Sequence, residues 1–146
     1  MTGPGGATVR AGASAWVRAG LVLLTLVQAG IGAWQYFAPR AFYHLPTVDA
    51  NPPFNAHLMT DIGGLGMALA VVLGAAALRM ERSLVQAALA GYLVYSVSHL
   101  AFHATHMARL PIADATLLLI ALAILPGIAF ALLLVATWSG RSRSTA

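Results

Sequence analysis

Residues 51–78 read NPPFNAHLMTDIGGLGMALAVVLGAAAL, and this stretch decides the fold that we predict. Its part from Ile62 to Leu78 carries no charged side chain. A helix needs about 20 mostly apolar residues to cross a bilayer, so the stretch is long enough. Asn51 is a good helix N-cap, and the prolines after it suit a first helical turn. We therefore predict a membrane-spanning helix over 53–78.

Small residues recur on two faces of this helix and would let neighbouring helices approach closely. They are Gly63, Gly66 and Ala70 on one face, and Gly64 and Ala68 on the other. Close packing against other helices is therefore expected, and the rest of the chain offers suitable partners.

Three further apolar segments have the length of a membrane span, at 16–37, 84–105 and 112–138. Pro126 lies near the middle of the last segment and predicts a bend there. The predicted fold class is all-α, an integral membrane four-helix bundle formed by a single domain over 15–139. The flanks, 1–14 and 140–146, are rich in Gly, Ser, Thr and Arg and are expected to be disordered tails.

The first apolar segment has an alternative interpretation as a cleaved signal peptide. Arg10 and Arg18 precede a short apolar run with small residues after it, as in secretory signals. The apolar run continues past that cleavage position to Phe37, which favours a retained span.

The composition supports the membrane class. Of the 146 residues, 60% are hydrophobic and 8% are charged, whereas soluble domains carry about 25% charged residues. The mean hydropathy is +0.81. The absence of cysteine excludes disulfides, thiolate metal sites and cysteine nucleophiles. The net charge of +4 forms no basic stripe with interleaved aromatic residues, so we expect the lipid bilayer as a partner and no nucleic acid.

Arginine placement predicts the orientation, because positive charge favours the cytoplasmic side. Six arginines precede the first segment, lie between the second and third, or follow the fourth: Arg10, Arg18, Arg79, Arg82, Arg141 and Arg143. The two opposite loops contain Arg40 and Arg109. We therefore predict a multi-pass protein of the inner (plasma) membrane with both termini in the cytoplasm.

Titratable side chains recur at helical spacing near the end of the third segment. His99, His103 and His106 are four and three residues apart, on one stripe with Tyr92 and Ser96. In lipid such groups are costly unless they are paired, hydrated or bound to something. The stripe is therefore a candidate site.

The second segment carries His57 and Asp61, one helical turn apart. With a rise of about 1.5 Å per residue, Asp61 is level with His99, and His57 with His103. The short link between the second and third segments favours antiparallel neighbours, so the two sets of side chains are expected to meet.

Histidines with a carboxylate at these spacings are typical of a metal site. The predicted ligands are His57, Asp61, His99, His103 and His106. Three or more histidines with one carboxylate suit Zn, Fe or Cu, and haem held by one histidine from each segment is a less favoured alternative. Another alternative is that these side chains only hydrogen-bond one another at a helix contact.

Three functions remain open at this stage. The first is a ligand- or metal-binding membrane protein, and the second is a non-enzymatic accessory subunit whose polar stripe serves packing, a homo-oligomer or a membrane partner protein. The third is part of a proton or solute pathway, since histidine and aspartate can pass protons. The sequence does not decide whether the protein is an enzyme.

Three stretches carry a family resemblance: Trp34 to Arg40 (WQYFAPR), Phe54 to Gly63 (FNAHLMTDIG), and His99 to His106. In these the chain resembles small four-helix bacterial membrane proteins of the broad DoxX-like kind. The resemblance implies a four-helix membrane fold and brings no activity or catalytic residue with it.

Overall fold

The structure is a computed structural model that describes residues 5–49 and 53–141, with side-chain burial defined over 14–48 and 53–138. The helices in this described part are α1 (Gly5–Phe37), α2 (Pro39–Tyr43), α3 (Pro46–Asp49), α4 (Ala56–Arg79), α5 (Arg82–Thr105) and α6 (Ile112–Arg141). Four segments of these helices are long and apolar enough to cross a membrane: Ser14–Phe37, Ala56–Arg79, Arg82–Thr105 and Ile112–Trp138. The predicted all-α, four-helix membrane bundle is therefore confirmed.

Helix α4 begins later than the sequence pattern predicted. Its N-cap is Asn55, which has the extended backbone that a cap requires (φ −127°, ψ 107°), and the backbone N–H of Leu58 donates to Asn55 Oδ1 over 3.1 Å. Asn51, the predicted cap, lies outside the described residues. At the other end Met80 adopts a left-handed conformation (φ 52°), which turns the chain into α5.

The ends of the chain and the first loop also differ from the expected picture. Helix α1 begins at Gly5, within the segment 1–14 expected to be a tail, and α6 continues to Arg141. The other positions of the expected tails, 1–4 and 142–146, lie outside the described residues. The first loop contains the short helices α2 and α3, each of which begins at a proline, a residue suited to a first helical turn.

The long helices form two pairs. Helix α1 packs most extensively on α4, and α5 packs on α6, with smaller contacts joining α4 to α5 and α1 to α6. The prediction that the second and third spans are neighbours is confirmed, although the main partner of α4 is α1. The guanidinium of Arg82 donates to the carbonyl oxygen of Thr137 over 3.0 Å, which joins the start of α5 to the end of α6.

We call the end of the bundle with this contact the terminal end, and the end with residues 38–49, 53–55 and 106–111 the loop end. The apolar core lies entirely in the terminal half. Its members are Val17, Leu21 and Leu24 on α1, Leu73, Ala76 and Ala77 on α4, Val85, Ala88, Leu89 and Tyr92 on α5, and Ala129 on α6. Burying these side chains against one another fixes the four helices at the terminal end.

In the loop half the two pairs behave differently. A Cβ on Gly32 would lie 2.9 Å from the carbonyl oxygen of Gly63, so α1 and α4 remain in backbone contact there. By contrast, no described residue is buried on α5 beyond Ser96 or on α6 before Pro126. Burial on α5 therefore ends at Ser96, whereas α1 and α4 stay buried against each other further into the loop half.

Candidate functional site

The polar stripe of α5 continues the face that forms the core. Leu89, Tyr92 and Ser96 are buried, and at the same helical spacing the next positions are His99 and His103. Ser96 is 7% exposed, whereas His103 is half-buried and His99 is exposed. The two histidines therefore lie just beyond the point where the buried face of α5 ends.

The rings on this stripe contact one another. Tyr95 stacks on His99 with ring centroids 6.0 Å apart, and His99 meets His103 edge to face at 4.6 Å. These ring contacts fix how the two imidazoles lie against each other along α5.

His106 is held separately by the last turn of α5. Its ring stacks on Phe102 with centroids 4.1 Å apart, and its Nδ1 lies 2.9 Å from both the Phe102 carbonyl oxygen and the Thr105 hydroxyl. These local contacts hold the ring of His106 against the last turn of α5.

His57 and Asp61 lie on an exposed face of α4. His57 Nε2 is 3.3 Å from Asp61 Oδ2, and the side chains are 87% and 55% exposed. Beside the pair is an open depression of about 420 Å³, lined by Tyr36, Thr60, Asp61, Gly64 and Leu65. The face of α4 that is buried against α1 contains Gly63 and Gly66. By helical spacing these two residues lie on the other side of the helix from Asp61.

Among the described residues, no group of three or more His, Asp or Glu side chains is arranged to hold a metal ion. The five predicted ligands instead lie as the His57–Asp61 pair, the His99–His103 pair and the locally held His106. A metal site that uses all five side chains in one copy therefore stays a prediction.

Among the described residues, three buried side-chain polar atoms lack a hydrogen-bond partner: Gln28 Nε2, Gln35 Oε1 and Ser96 Oγ. A buried polar group left unsatisfied costs about 1–3 kcal/mol. Hydroxyls elsewhere on these helices donate to the carbonyl four residues earlier, as Thr25 does to Leu21 and Ser98 does to Val94, both over 2.7 Å. Ser96 makes no such bond, which marks its hydroxyl as open to another acceptor or donor.

Gln28 and Gln35 are seven residues apart and share one face of α1, but this spacing does not show that the face is buried. Their burial and their unsatisfied atoms depend on the approach of α4: Gln28 Nε2 lies 2.9 Å from the position of a Cβ on Gly66. Sequence reasoning also missed the contact of Arg40 with Phe54, whose ring centroid is 4.9 Å from the guanidinium carbon. No local signal connects these two residues, because the intervening chain must fold back first.

The positions of the buried polar residues along the bundle can be compared with the predicted proton pathway. Within the described part of the chain, Gln28, Gln35 and Ser96 are the buried polar residues, and all lie in the loop half. The apolar core occupies the terminal half. A pathway across the bundle of one copy gains no support from this distribution.

Comparison with known proteins found no matching family model, no matching curated protein and no matching solved structure. The resemblance to DoxX-like proteins is therefore neither supported nor opposed by these comparisons, and it stays a prediction.

Proposed function

We propose that this small multi-pass membrane protein binds a small polar ligand between its helix pairs at the loop end. Ser96, His99 and His103 are the residues that would hold it. The observation that carries this proposal is the Ser96 hydroxyl, which is buried without a partner among the described residues, one helical turn before His99. A ligand oxygen at this position would satisfy the hydroxyl and accept hydrogen bonds from the imidazoles.

The surroundings favour a ligand with an apolar body and a polar head. Helix α6, which packs on α5, presents half-buried Leu118 and Leu119 in the loop half. In an apolar environment the polar contacts to Ser96 and the histidines gain strength and orient the ligand. Two histidines one turn apart are also suited to bind one metal ion that carries further ligands of its own.

The orientation rests on the arginine bias, which places the loop end outside. On this basis the ligand would enter from the outer side of the inner (plasma) membrane, or laterally from its outer leaflet. The proposed site is a binding site, and no group near it is assigned a catalytic role.

A second candidate function is that of an accessory subunit bound to a membrane partner. It is favoured by the stacked Phe102 and His106, since Phe102 is 50% exposed and its ring lies at the end of a membrane span. Exposed aromatic rings with a polar edge are frequent in protein interfaces.

The test is an analysis of what co-purifies with the protein in mild detergent. Elemental analysis, an optical spectrum and mass spectrometry of extracted small molecules are compared for wild type, Ser96→Ala and His99→Ala/His103→Ala. His44→Ala, which changes an exposed histidine near α2, is the matched control. A near-stoichiometric ligand that is lost in the first two variants and kept in the control supports the site and identifies the ligand as organic or metallic.

Absence of a bound ligand in the wild-type protein would contradict the proposal. If well-folded wild-type protein carries no ligand and takes up none from a lipid extract or metal solution, the ligand-binding proposal fails. The accessory-subunit function then becomes the better account, and affinity capture with Phe102→Ala as the negative variant is the next step.

A further inference from the structure

A second site lies on α4, away from the stripe of α5. We propose that His57 and Asp61 form half of a zinc site that the same pair of a second copy completes, joining two copies along α4. This inference does not rest on the proposed function, because it uses neither Ser96 nor the histidines of α5.

The geometry of the pair fits two corners of a zinc tetrahedron. His57 Nε2 and Asp61 Oδ2 are 3.3 Å apart. Two ligands bound at about 2.0–2.1 Å to a tetrahedral zinc ion are separated by about 3.3–3.4 Å, so both atoms can bind one ion with little movement. Imidazole nitrogen and carboxylate oxygen are both ordinary zinc ligands.

A single copy leaves this coordination half complete. Structural zinc takes four ligands, and no described group of three or more His, Asp or Glu side chains could hold a metal within one copy. Both side chains are open to a partner, at 87% and 55% exposure. A two-fold axis beside His57 and Asp61 would bring the same two ligands from a second copy and close the tetrahedron.

The position of Asp61 in a candidate membrane span favours a partner at this site. Asp61 lies inside the candidate span Ala56–Arg79, and its side chain is 55% exposed at the edge of the contact with α1, beside Tyr36. A carboxylate facing lipid is costly. Two aspartates and one Zn²⁺ sum to zero charge, so the completed site would remove net charge from the lipid-facing surface.

The rest of this face is suited to a second α4. Leu65, Ala68 and Val72 follow Asp61 at spacings of four, three and four residues, which keeps them on one stripe. All three are exposed, with Leu65 at 71%. A two-fold axis along the membrane normal would bring the same residues of both copies together, so the apolar stripe would pack against itself below the zinc.

The first experiment measures mass and zinc content of detergent-solubilised protein by native mass spectrometry. With zinc we expect a dimer holding one zinc ion per two copies, and with a chelator a monomer. His57→Ala and Asp61→Asn should stay monomeric in zinc. The matched controls His44→Ala and Asp114→Asn change an exposed histidine and an exposed aspartate elsewhere, and they should dimerise like wild type.

The second experiment places the contact in native membranes. The chain has no cysteine, so single-cysteine variants report one position each. Leu65→Cys should be joined to a second copy by a short bis-maleimide when zinc is present, and Leu117→Cys, an exposed position on α6, should not. The proposal is overturned if zinc-loaded wild type is monomeric, if the dimer survives both ligand variants, or if Leu117→Cys crosslinks as well as Leu65→Cys.

Discussion

A Cβ on Gly63 would lie 2.6 Å from the backbone nitrogen of Tyr36. The atom in the way is backbone, so no side-chain rotation can relieve the clash. The contact explains why α1 and α4 stay together in the loop half, where the apolar core no longer holds the bundle.

Gly63→Ala is therefore expected to lower the thermal stability of the detergent-solubilised protein. Overpacking of this kind costs about 1–3 kcal/mol, because the two helices must move apart. The control is Gly91→Ala on α5, where an added Cβ meets nothing within 4 Å. That variant should melt at the wild-type temperature or higher, since alanine is the better helix former. If the two variants have equal melting temperatures, the α1/α4 contact at Gly63 is not tight.

Replacing Gln28 by methionine tests whether its buried amide is stabilising. Gln28 Nε2 is buried and has no hydrogen-bond partner in the part of the chain that the structure describes. Replacing an unsatisfied buried group by an apolar one of similar shape is neutral or stabilising, by up to about 1 kcal/mol. We expect Gln28→Met to melt no lower than wild type in a thermal unfolding assay. A clear loss of stability would mean that the amide has a partner, such as a water molecule or a bound ligand.

Asn55→Ala should destabilise the start of α4 by about 1 kcal/mol, because the Leu58 N–H loses its acceptor. Hydrogen exchange of the first turn of α4 is the direct measurement, with faster exchange expected at Leu58. Asn55→Asp keeps an acceptor at the cap and should restore protection. If Asn55→Ala exchanges like wild type, the cap lies elsewhere in the chain.

Ser96→Ala tests whether the Ser96 hydroxyl serves ligand binding or the stability of the folded protein. The Ser96 hydroxyl makes no hydrogen bond within the described part of the chain, so its removal should leave the melting temperature of ligand-free protein unchanged or slightly raised. The same variant should lose the stabilisation that a bound ligand gives to wild type. A drop in the stability of ligand-free Ser96→Ala would instead assign the hydroxyl a structural role.

The orientation can be measured with single-cysteine variants at opposite ends of the bundle. His44 and Ser83 are both exposed, at the loop end and the terminal end respectively. A membrane-impermeant maleimide added to intact cells should label His44→Cys and spare Ser83→Cys, as the arginine bias predicts. Labelling with the reverse preference would place the termini outside.

The sequence predicted best those features that depend only on residues within one helix. Apolar segments of sufficient length predict helices because a bilayer leaves no other partner for backbone polar groups. The i, i+4 pairing of His57 with Asp61 and of His99 with His103 follows from helical geometry alone, and both contacts are present. The cap at Asn55 was missed because Asn51 carries the same local signal, and the choice between two nearby asparagines depends on how the chain enters α4.

Taken by itself, the amino-acid sequence determined the membrane class, the four spans and the approximate level of each polar residue, since rise along a helix depends only on residue number. Only the tertiary structure decided which way those residues face. Gly63 and Gly66 allow one side of α4 to pack closely against α1. Asp61 then lies on another side of the helix, where its side chain stays exposed. The packing of the helices likewise buries Ser96 with no hydrogen-bond partner for its hydroxyl among the described residues. Rotation of a helix about its axis is set by the packing of its neighbours, which periodicity within one segment does not contain.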